Sequence, residues 1–587
     1  MDPFLGLAAI LVLGIGAQWL AWAIRLPSIL LLLALGLLLG PVFHLLDPNK
    51  LFGSLLLPVV SLSVGIILFE GGLSLKFKDV RSVGYTILAL VTVGLLLGFA
   101  LVAAFLHYVL DYSIGFSLLQ SAILTVTGPT VIVPMLSHLR IKEPVSSILH
   151  WEGIVIDPLG AVLAVLVFEG IIGEANKDAF DLIFQEVFVT FSAGLIAGIA
   201  GGFALRGVLK RFWMPDQMQN PLVLMFVILF FALAETIHSE AGLISVTCMG
   251  VLLANQSTVQ VRHIIDFKES LRVILIAVLF ILLASTVDVN DLIGIWDEGL
   301  FLLLFLILIG RPLTVLLSTL FSSLSWKERA FIAALAPRGI IAAAISSLFG
   351  LRLMGAGYSE GGELAPLTFA IIAGTVLIYG IGAPFIARLL DMVRPPDQGV
   401  LIIGANPVAR AIGEAIDREG FKVHMIDSNY WKFSDAKLSR IPVQHGNLFT
   451  LAEDEEALQG IGKLLALTPN DQVNSLACLR FAEQFGKANL FQLPFKADFQ
   501  TPADLRGRIL FTADLTYDEF NKKLDQGWVV KATNITEEFT FEKWKAQYEG
   551  RALLLFTCLK KEWIYPATAE AAPSPKVGGK VIFLANE

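Results

Sequence analysis

The stretch His150-Trp151-Glu152-Gly153-Ile154-Val155-Ile156-Asp157-Pro158 sits inside an otherwise apolar run from 146 to 171. A run of that length, at 1.5 Å per residue, crosses a hydrocarbon core ~30 Å thick. Counted from Ser146, Asp157 lies ~16 Å deep, close to the midplane. A charge there costs ~2.5–3.5 kcal/mol even on insertion scales, so each carboxylate needs a function or a partner. Glu152 and Asp157 are separated by ~140° around the helix and address different neighbours.

Working outward, comparable runs fall at 4–24, 28–45, 55–74, 84–109, 114–136, 185–206, 220–238, 240–256, 271–288, 298–320, 327–350 and 364–390, which makes thirteen spans in all. The bulk composition agrees. Of 587 residues, 56% are hydrophobic and 16% charged, against about 25% charged in a soluble chain, and the mean hydropathy is +0.73. The net charge of −8 comes without a basic cluster and speaks against a nucleic-acid partner. Cys248, Cys478 and Cys558 match no disulfide or metal spacing. Gln18-Trp19 and Trp22 are poor residues for signal-peptidase cleavage, so the first run is expected to be a retained helix.

Loop charges set the expected orientation. Arg25; Lys76, Lys78 and Arg81; Arg140 and Lys142; Arg206, Lys210 and Arg211; Arg262, Lys268 and Arg272; Lys327 and Arg329; and Arg388 and Arg394 fall in alternate loops. The intervening loops carry Asp111, Glu174, Asp178, Asp181, Glu240, Asp288, Asp291, Asp297, Glu360 and Glu363. The positive-inside rule then puts the N-terminus outside and the C-terminal region in the cytoplasm.

Arg311 and Arg338 also fall near mid-depth, in the eleventh and twelfth spans. Two cations and two anions at one level imply partial neutralisation, with either arginine open as a partner of Asp157. Thr127-Gly128-Pro129-Thr130 and Ala336-Pro337-Arg338-Gly339 interrupt the fifth and twelfth spans. Proline removes a helix donor and clashes with the preceding turn, and freed backbone groups are tolerated at depth only beside protein or water. With the seventh span as a linker, the two breaks fall in the fifth helix of each six-helix half. An odd linker makes those halves inverted repeats, with a midplane site between discontinuous helices. Glu70 sits toward the cytoplasmic third of the third span, and Glu169 and Glu235 sit near outer ends, where water is expected to solvate them.

Arg25-Leu26-Pro27-Ser28 leading to Gly36 and Gly40-Pro41, Leu68-Phe69-Glu70-Gly71-Gly72-Leu73, Thr127-Gly128-Pro129, Glu152-Gly153 through Asp157-Pro158, Gly310-Arg311-Pro312 and Pro337-Arg338-Gly339 together resemble the sodium/proton exchanger superfamily, in its NhaP-like branch. The resemblance covers nearly all of residues 1–392. It implies a homodimer with crossed broken helices, elevator-like alternating access, and electroneutral exchange of Na⁺ or K⁺ for H⁺ without enzymatic chemistry. It also implies Asp157 as the ion-binding carboxylate, Thr127 as a contributor, Glu152 paired with Arg311, Arg338 steadying the other broken helix, and Glu70 extending the cation path. Ile156, Gly128 and Gly153 stand where relatives often have Asn, Asp and Ser, leaving Asp157 fewer side-chain helpers. The expected setting is a prokaryotic inner membrane.

Residues 393–398 read as a linker, followed by a βαβ opening: a strand at Val400-Leu401-Ile402-Ile403, a helix over 406–418, and a second strand at Lys422-Val423-His424-Met425-Ile426. Gly404, Ala405, Asn406, Pro407, Val408 and Ala409 form a degraded dinucleotide fingerprint, with Asn406 at the second glycine, and Asp427 stands where a ribose hydroxyl is bound. Residues 399–495 thus read as a Rossmann-like domain, and 496–587 as a strand-rich subdomain. The arrangement resembles the TrkA-type regulator-of-potassium-conductance domain, with Gly446-Asn447 and Leu467-Thr468-Pro469-Asn470-Asp471 at later positions. That resemblance implies a regulatory site using Ser428, Asn447 and Thr468 as well, for AMP, ATP or NAD(H); a ligand-free dimerisation module is the alternative. The rival for the whole chain is a nucleotide- or metabolite-gated potassium efflux system with channel-like behaviour, although no TVGYG-type filter is present.

Overall fold

The computed structural model describes the chain apart from residues 1–2, 25, 81–82, 173–178, 212, 257, 260–261, 395–396, 438–440, 449–456, 497–501, 503–504, 560–561, 576 and 587. Arg25, Arg81, Glu174 and Asp178, used above for loop charge, lie outside the described residues. The chain divides into two compact units, Met1–Arg394 and Pro395–Glu587.

The first unit is helical. Its principal helices are α1 (Pro3–Ile24), α2 (Ser28–Val42), α3 (Leu56–Leu73), α4 (Gly84–Tyr108), α5 (Ile114–Thr125), α6 (Pro129–Leu139), α7 (Val145–Ile172) and α8 (Ala179–Lys210). They continue as α9 (Asp216–Ile237), α10 (Ala241–Ala254), α11 (Arg262–Ala284), α12 (Trp296–Ser318), α13 (Trp326–Ala333), α14 (Ile340–Gly355) and α15 (Gly361–Leu389). Among the described residues, eight helices are long and apolar enough to cross a membrane, and four shorter apolar helices accompany them. Phe4, Trp19, Trp22, Phe188, Phe203 and Phe385 stand exposed on the outside of this bundle. Apolar rings in that number suit a hydrocarbon solvent; water would drive them inward.

Two expected runs are split. The 114–136 run ends as helix at Thr125, passes through extended backbone at Val126 and Gly128, and restarts at Pro129 as α6. The 327–350 run ends at Ala333 and restarts at Ile340. Proline at the first position of α6 removes no internal bond there. A third irregularity, a π-helical turn at Leu306–Gly310 inside α12, ends immediately before Arg311. Pro312 supplies no N–H to close an ordinary turn there.

The second unit opens with a six-stranded parallel sheet in the order β3-β2-β1-β4-β5-β6. The strands are β1 (Gly399–Ile403), β2 (Val423–Asp427), β3 (Val443–His445), β4 (Ile461–Ala466), β5 (Leu490–Gln492) and β6 (Arg508–Ile509). This is the doubly wound order of dinucleotide-binding folds. Helix α16 (Pro407–Arg418) follows β1 and buries Val408, Ala409, Ile412 and Ile416. A four-stranded antiparallel sheet follows, β7-β10-β8-β9, built from Val529–Asn534, Gly579–Ala585, Ala552–Leu559 and Trp563–Pro566. The parallel sheet takes its last strand from beyond residue 495, the boundary drawn from sequence. One core also joins Val400, Ile402 and Leu465 to Leu555, Phe556 and Ile582, so the two sheets pack as one body. A two-residue strand such as β6 is too short to carry a periodicity in sequence.

Candidate ion-binding site

The two helix breaks cross at their glycines. A Cβ placed on Gly128 would stand 2.3 Å from the Cα of Gly339, and one on Gly339 would stand 2.4 Å from the Cα of Gly128. The Gly128 N–H donates to the Pro337 carbonyl at 3.0 Å, so one break satisfies a donor freed by the other. Two helix N-termini, at Pro129 and Ile340, therefore begin at the crossing. Their dipoles place partial positive charge there, and the last turns of α5 and α13 bring negative helix ends to it.

Helix α7 passes directly against the first break. A Cβ on Gly160 would lie 2.3 Å from Val126 Cγ2 and 3.5 Å from Thr125 Oγ1. Asp157 is three residues before Gly160 and so shares its helix face. Asp157 is 2% exposed, Thr127 is 1% exposed, and neither Asp157 Oδ1 nor Thr127 Oγ1 has a hydrogen-bond partner among the described residues.

The other three charged groups have partners, although Arg311 Nε and Arg338 Nε, like Asp157 Oδ1, make no hydrogen bond among the described residues. Glu152, 1% exposed, accepts from Arg311 through both carboxylate oxygens, Nη1 at 2.5 Å and Nη2 at 2.8 Å. This two-pronged geometry is the strongest available to a guanidinium and a carboxylate. Arg338, expected to steady the other broken helix, takes no part in that ion pair. It has no carboxylate within ion-pair distance among the described residues. Its Nη1 donates to the carbonyls of Thr125 and Val126 at 3.3 and 3.2 Å, closing the end of α5. The cation meets the negative end of a helix dipole there.

Glu70 stands in an ion pair with Arg272 of α11, at 2.9 Å. Arg272 entered the sequence reading only as a loop charge, and no spacing links residues 70 and 272. Glu235 is half-buried, whereas sequence placed it in water. Its carboxylate accepts from the backbone N–H groups of Glu240 and Gly242 at 3.0 and 3.1 Å, capping the start of α10. His150 Nε2 pairs with Ser74 Oγ at 2.8 Å. A cavity of about 660 Å³ lies beyond Asp157 along α7, bordered by Val64, Val165, Glu169, Glu235, Ile341 and Arg352. Asp157 is not in its wall.

In the second unit the fingerprint loop closes on itself. Gly404 has φ +108°, which glycine alone adopts easily. The N–H of Ala405 donates to Asp427 Oδ2 at 2.9 Å. Asn406, 1% exposed, accepts from the Ala409 N–H at 3.0 Å and donates to the Leu467 carbonyl at 2.7 Å. Pro407 has no N–H, and Val408 is buried. Of the donors that would cradle a pyrophosphate, Pro407 supplies none and those of Ala405 and Ala409 are taken, so the loop as it stands does not fit a dinucleotide held in the usual way. Ser428 is exposed, and its carbonyl accepts from His445 Nε2. Asn447 is exposed, and Thr468 is tied to Asn474 and to the Asn470 carbonyl.

Comparison with known proteins agrees with the first unit. The K⁺/H⁺ antiporter NhaP2 of Shewanella baltica is 22% identical over 76% of this chain and 80% of its own length. The Na⁺/H⁺ antiporter 1 of Methanocaldococcus jannaschii is 26% identical over 66% of this chain and 92% of its own. The solved structure of the sodium proton antiporter MjNhaP1 from that archaeon, at pH 8, superposes with a TM-score of 0.59 at 23% identity, over 66% of this chain and 99% of that one, which shows the same fold. The profile of the sodium/hydrogen exchanger transmembrane family matches residues 7–389, and the chain is a multi-pass membrane protein that belongs to that family.

Proposed function

We propose that the protein exchanges a monovalent cation, Na⁺ or K⁺, for a proton at Asp157. One observation carries this reading. Of the four charged groups near mid-depth, Glu152 is neutralised by Arg311 and Arg338 is spent on backbone carbonyls, while Asp157 keeps a buried oxygen without a partner. A carboxylate in that position binds a proton or a cation, and the carbonyls and N–H groups freed at the crossing complete its surroundings. Thr127 supplies a hydroxyl. Glu70, held by Arg272, serves the cytoplasmic approach. A single exchanging carboxylate beside two occupied arginines supports 1:1 electroneutral exchange. The thirteen expected runs and the alternation of loop charge support thirteen spans in inverted repeats, with the N-terminus outside and residues 395–587 in the cytoplasm. Packing of α7 and the breaks as one group supports an elevator-type motion within a homodimer, in a prokaryotic inner membrane.

The second unit acts as a regulator. Its closed loop argues against NAD(H). A mononucleotide, AMP or ATP, whose phosphate displaces the Asp427 carboxylate from the Ala405 N–H is the ligand class we favour, since that donor already holds an anion. Calorimetry with AMP, ATP and NADH tests this, and heat from NADH alone would reverse it. The exchanger reading is tested in proteoliposomes by pH-gradient dequenching with Na⁺, K⁺ and Li⁺ in turn. A voltage-driven K⁺ current without proton movement would favour the channel-like rival.

A further inference from the structure

The chain beyond α15 does not run free. Asp391 turns it with φ +60°, and the residues that follow lie antiparallel beside Arg140–Lys142. The Lys142 N–H donates to the Met392 carbonyl at 2.8 Å, and the Arg394 N–H donates to the Arg140 carbonyl at 2.8 Å. Ile141 faces Val393 between these bonds. Lys142 Nζ adds contacts to Asp391, 3.0 Å to Oδ2 and 2.8 Å to the carbonyl. Ile141 and Met392 are buried in one cluster with Leu136 of α6 and Val145, Ile148 and Leu149 of α7.

The partner segment is the important one. Residues 140–142 join α6, which starts at the Thr127-Gly128 break, to α7, which carries Glu152 and Asp157. At the other end of the tether, the second unit grips its first residues. Gln398 Oε1 accepts from Lys463 Nζ at 2.9 Å and from the Ile564 N–H at 3.4 Å. The Asp397 carbonyl lies so close to β4 that a Cβ on Gly462 would stand 1.8 Å from it. Between these two anchored ends the sequence has only Pro395 and Pro396.

We infer that the bridge between Arg140–Lys142 and Met392–Arg394 is the strap through which the second unit positions the two elements that hold Thr127 and Asp157. This rests on reading the first unit as an exchanger and the second as its regulator. A displacement of residues 397–398 has two residues in which to dissipate. It then meets a segment fixed by two backbone hydrogen bonds, an ion pair and buried side chains. The connected elements are α6 and α7, so the effect falls on cation affinity at Asp157. The bridge residues are positioning residues and touch no ion.

The test uses the full chain in four forms: wild type, a six-residue Gly-Ser insertion between Pro396 and Asp397, Lys142→Met, and both changes together. Half-saturating cation concentration and maximal rate are measured in proteoliposomes, and amide hydrogen exchange is measured over 135–160 and 388–394. The insertion and Lys142→Met are each expected to shift half-saturation at least threefold in the same direction with the maximal rate less affected. The double change should go no further than the larger single change, because both cut one path. Lys142→Arg, which keeps the ion pair, should behave as wild type. Additive effects, or an effect of Lys142→Met with none from the insertion, would overturn the proposal by leaving the bridge a purely structural feature. Absence of both effects would overturn it as well. If the wild type exchanges no cation, the exchanger reading fails, and hydrogen exchange decides the strap. The insertion must then speed exchange at the Lys142 and Arg394 amides at least tenfold, and unchanged protection refutes the strap.

Discussion

Gly128 and Gly339 meet backbone to backbone, with the Gly128 N–H bonded to Pro337 and no room for a Cβ on either glycine. By resemblance to the family, Gly128 stands where relatives often have Asp. In the fold of this chain it is a condition for the crossing. Gly128→Ala should force the two breaks apart at a cost of about 1–3 kcal/mol, as overpacking does, and abolish exchange. Thermal unfolding in detergent alongside the transport assay checks this, and a wild-type melting temperature would contradict it.

Asp157→Asn should eliminate exchange of Na⁺ or K⁺ for H⁺ while leaving the fold intact. Asp157 Oδ1 has no hydrogen-bond partner among the described residues, so the amide breaks no bond at that atom. Exchange at the wild-type rate in this variant would end the proposed mechanism. Asp157→Glu keeps the carboxylate but moves it by a methylene, and a rate at least about tenfold lower is expected, since misplacement of this size commonly costs more than that.

The Glu152–Arg311 pair makes a structural prediction. Glu152→Gln strands a buried guanidinium and should destabilise the protein by about 3–5 kcal/mol, whereas replacing both residues by apolar ones should recover most of the loss. Denaturation of Glu152→Gln, Arg311→Met and the apolar double variant measures it. Equal destabilisation in all three would show that the pair acts otherwise.

Thr127→Val preserves shape and removes a hydroxyl that has no hydrogen-bond partner among the described residues. Stability should not fall, because a buried hydroxyl without a partner is itself a cost that the methyl removes. The half-saturating cation concentration should rise several-fold with little change at saturation. An unchanged affinity would remove Thr127 from the ion's surroundings.

In the second unit, burial pushes the thiols of Cys478 and Cys558 up to about 12. The thiolate is the reactive form, so raising the value from about 8.5 lowers its population at neutral pH by roughly three-thousandfold. Both cysteines should resist alkylation near pH 7 until the unit unfolds, as mass spectrometry of labelled protein would show. Prompt labelling in the native state would contradict the packing around them.

Much of this was legible in the chain itself. Apolar runs longer than a bilayer core announce membrane helices whatever their neighbours are, because backbone groups in lipid must be satisfied within the segment. Thr127-Gly128-Pro129 and Ala336-Pro337 announced the breaks, since proline acts on its own turn. Asp157 was visible as a carboxylate too deep to be accidental. The pairing of Arg338 with backbone carbonyls, of Glu70 with Arg272, of Glu235 with the start of α10, and of Arg140–Lys142 with Met392–Arg394 was decided only by tertiary structure. Each joins positions whose spacing repeats no helical or strand period, or sets a side chain against backbone groups that sequence does not mark as free. Sequence alone therefore determined which charges lie at depth. The fold determined which of Glu152, Asp157, Arg311 and Arg338 answer one another, and left Asp157 Oδ1 buried without a partner among the described residues.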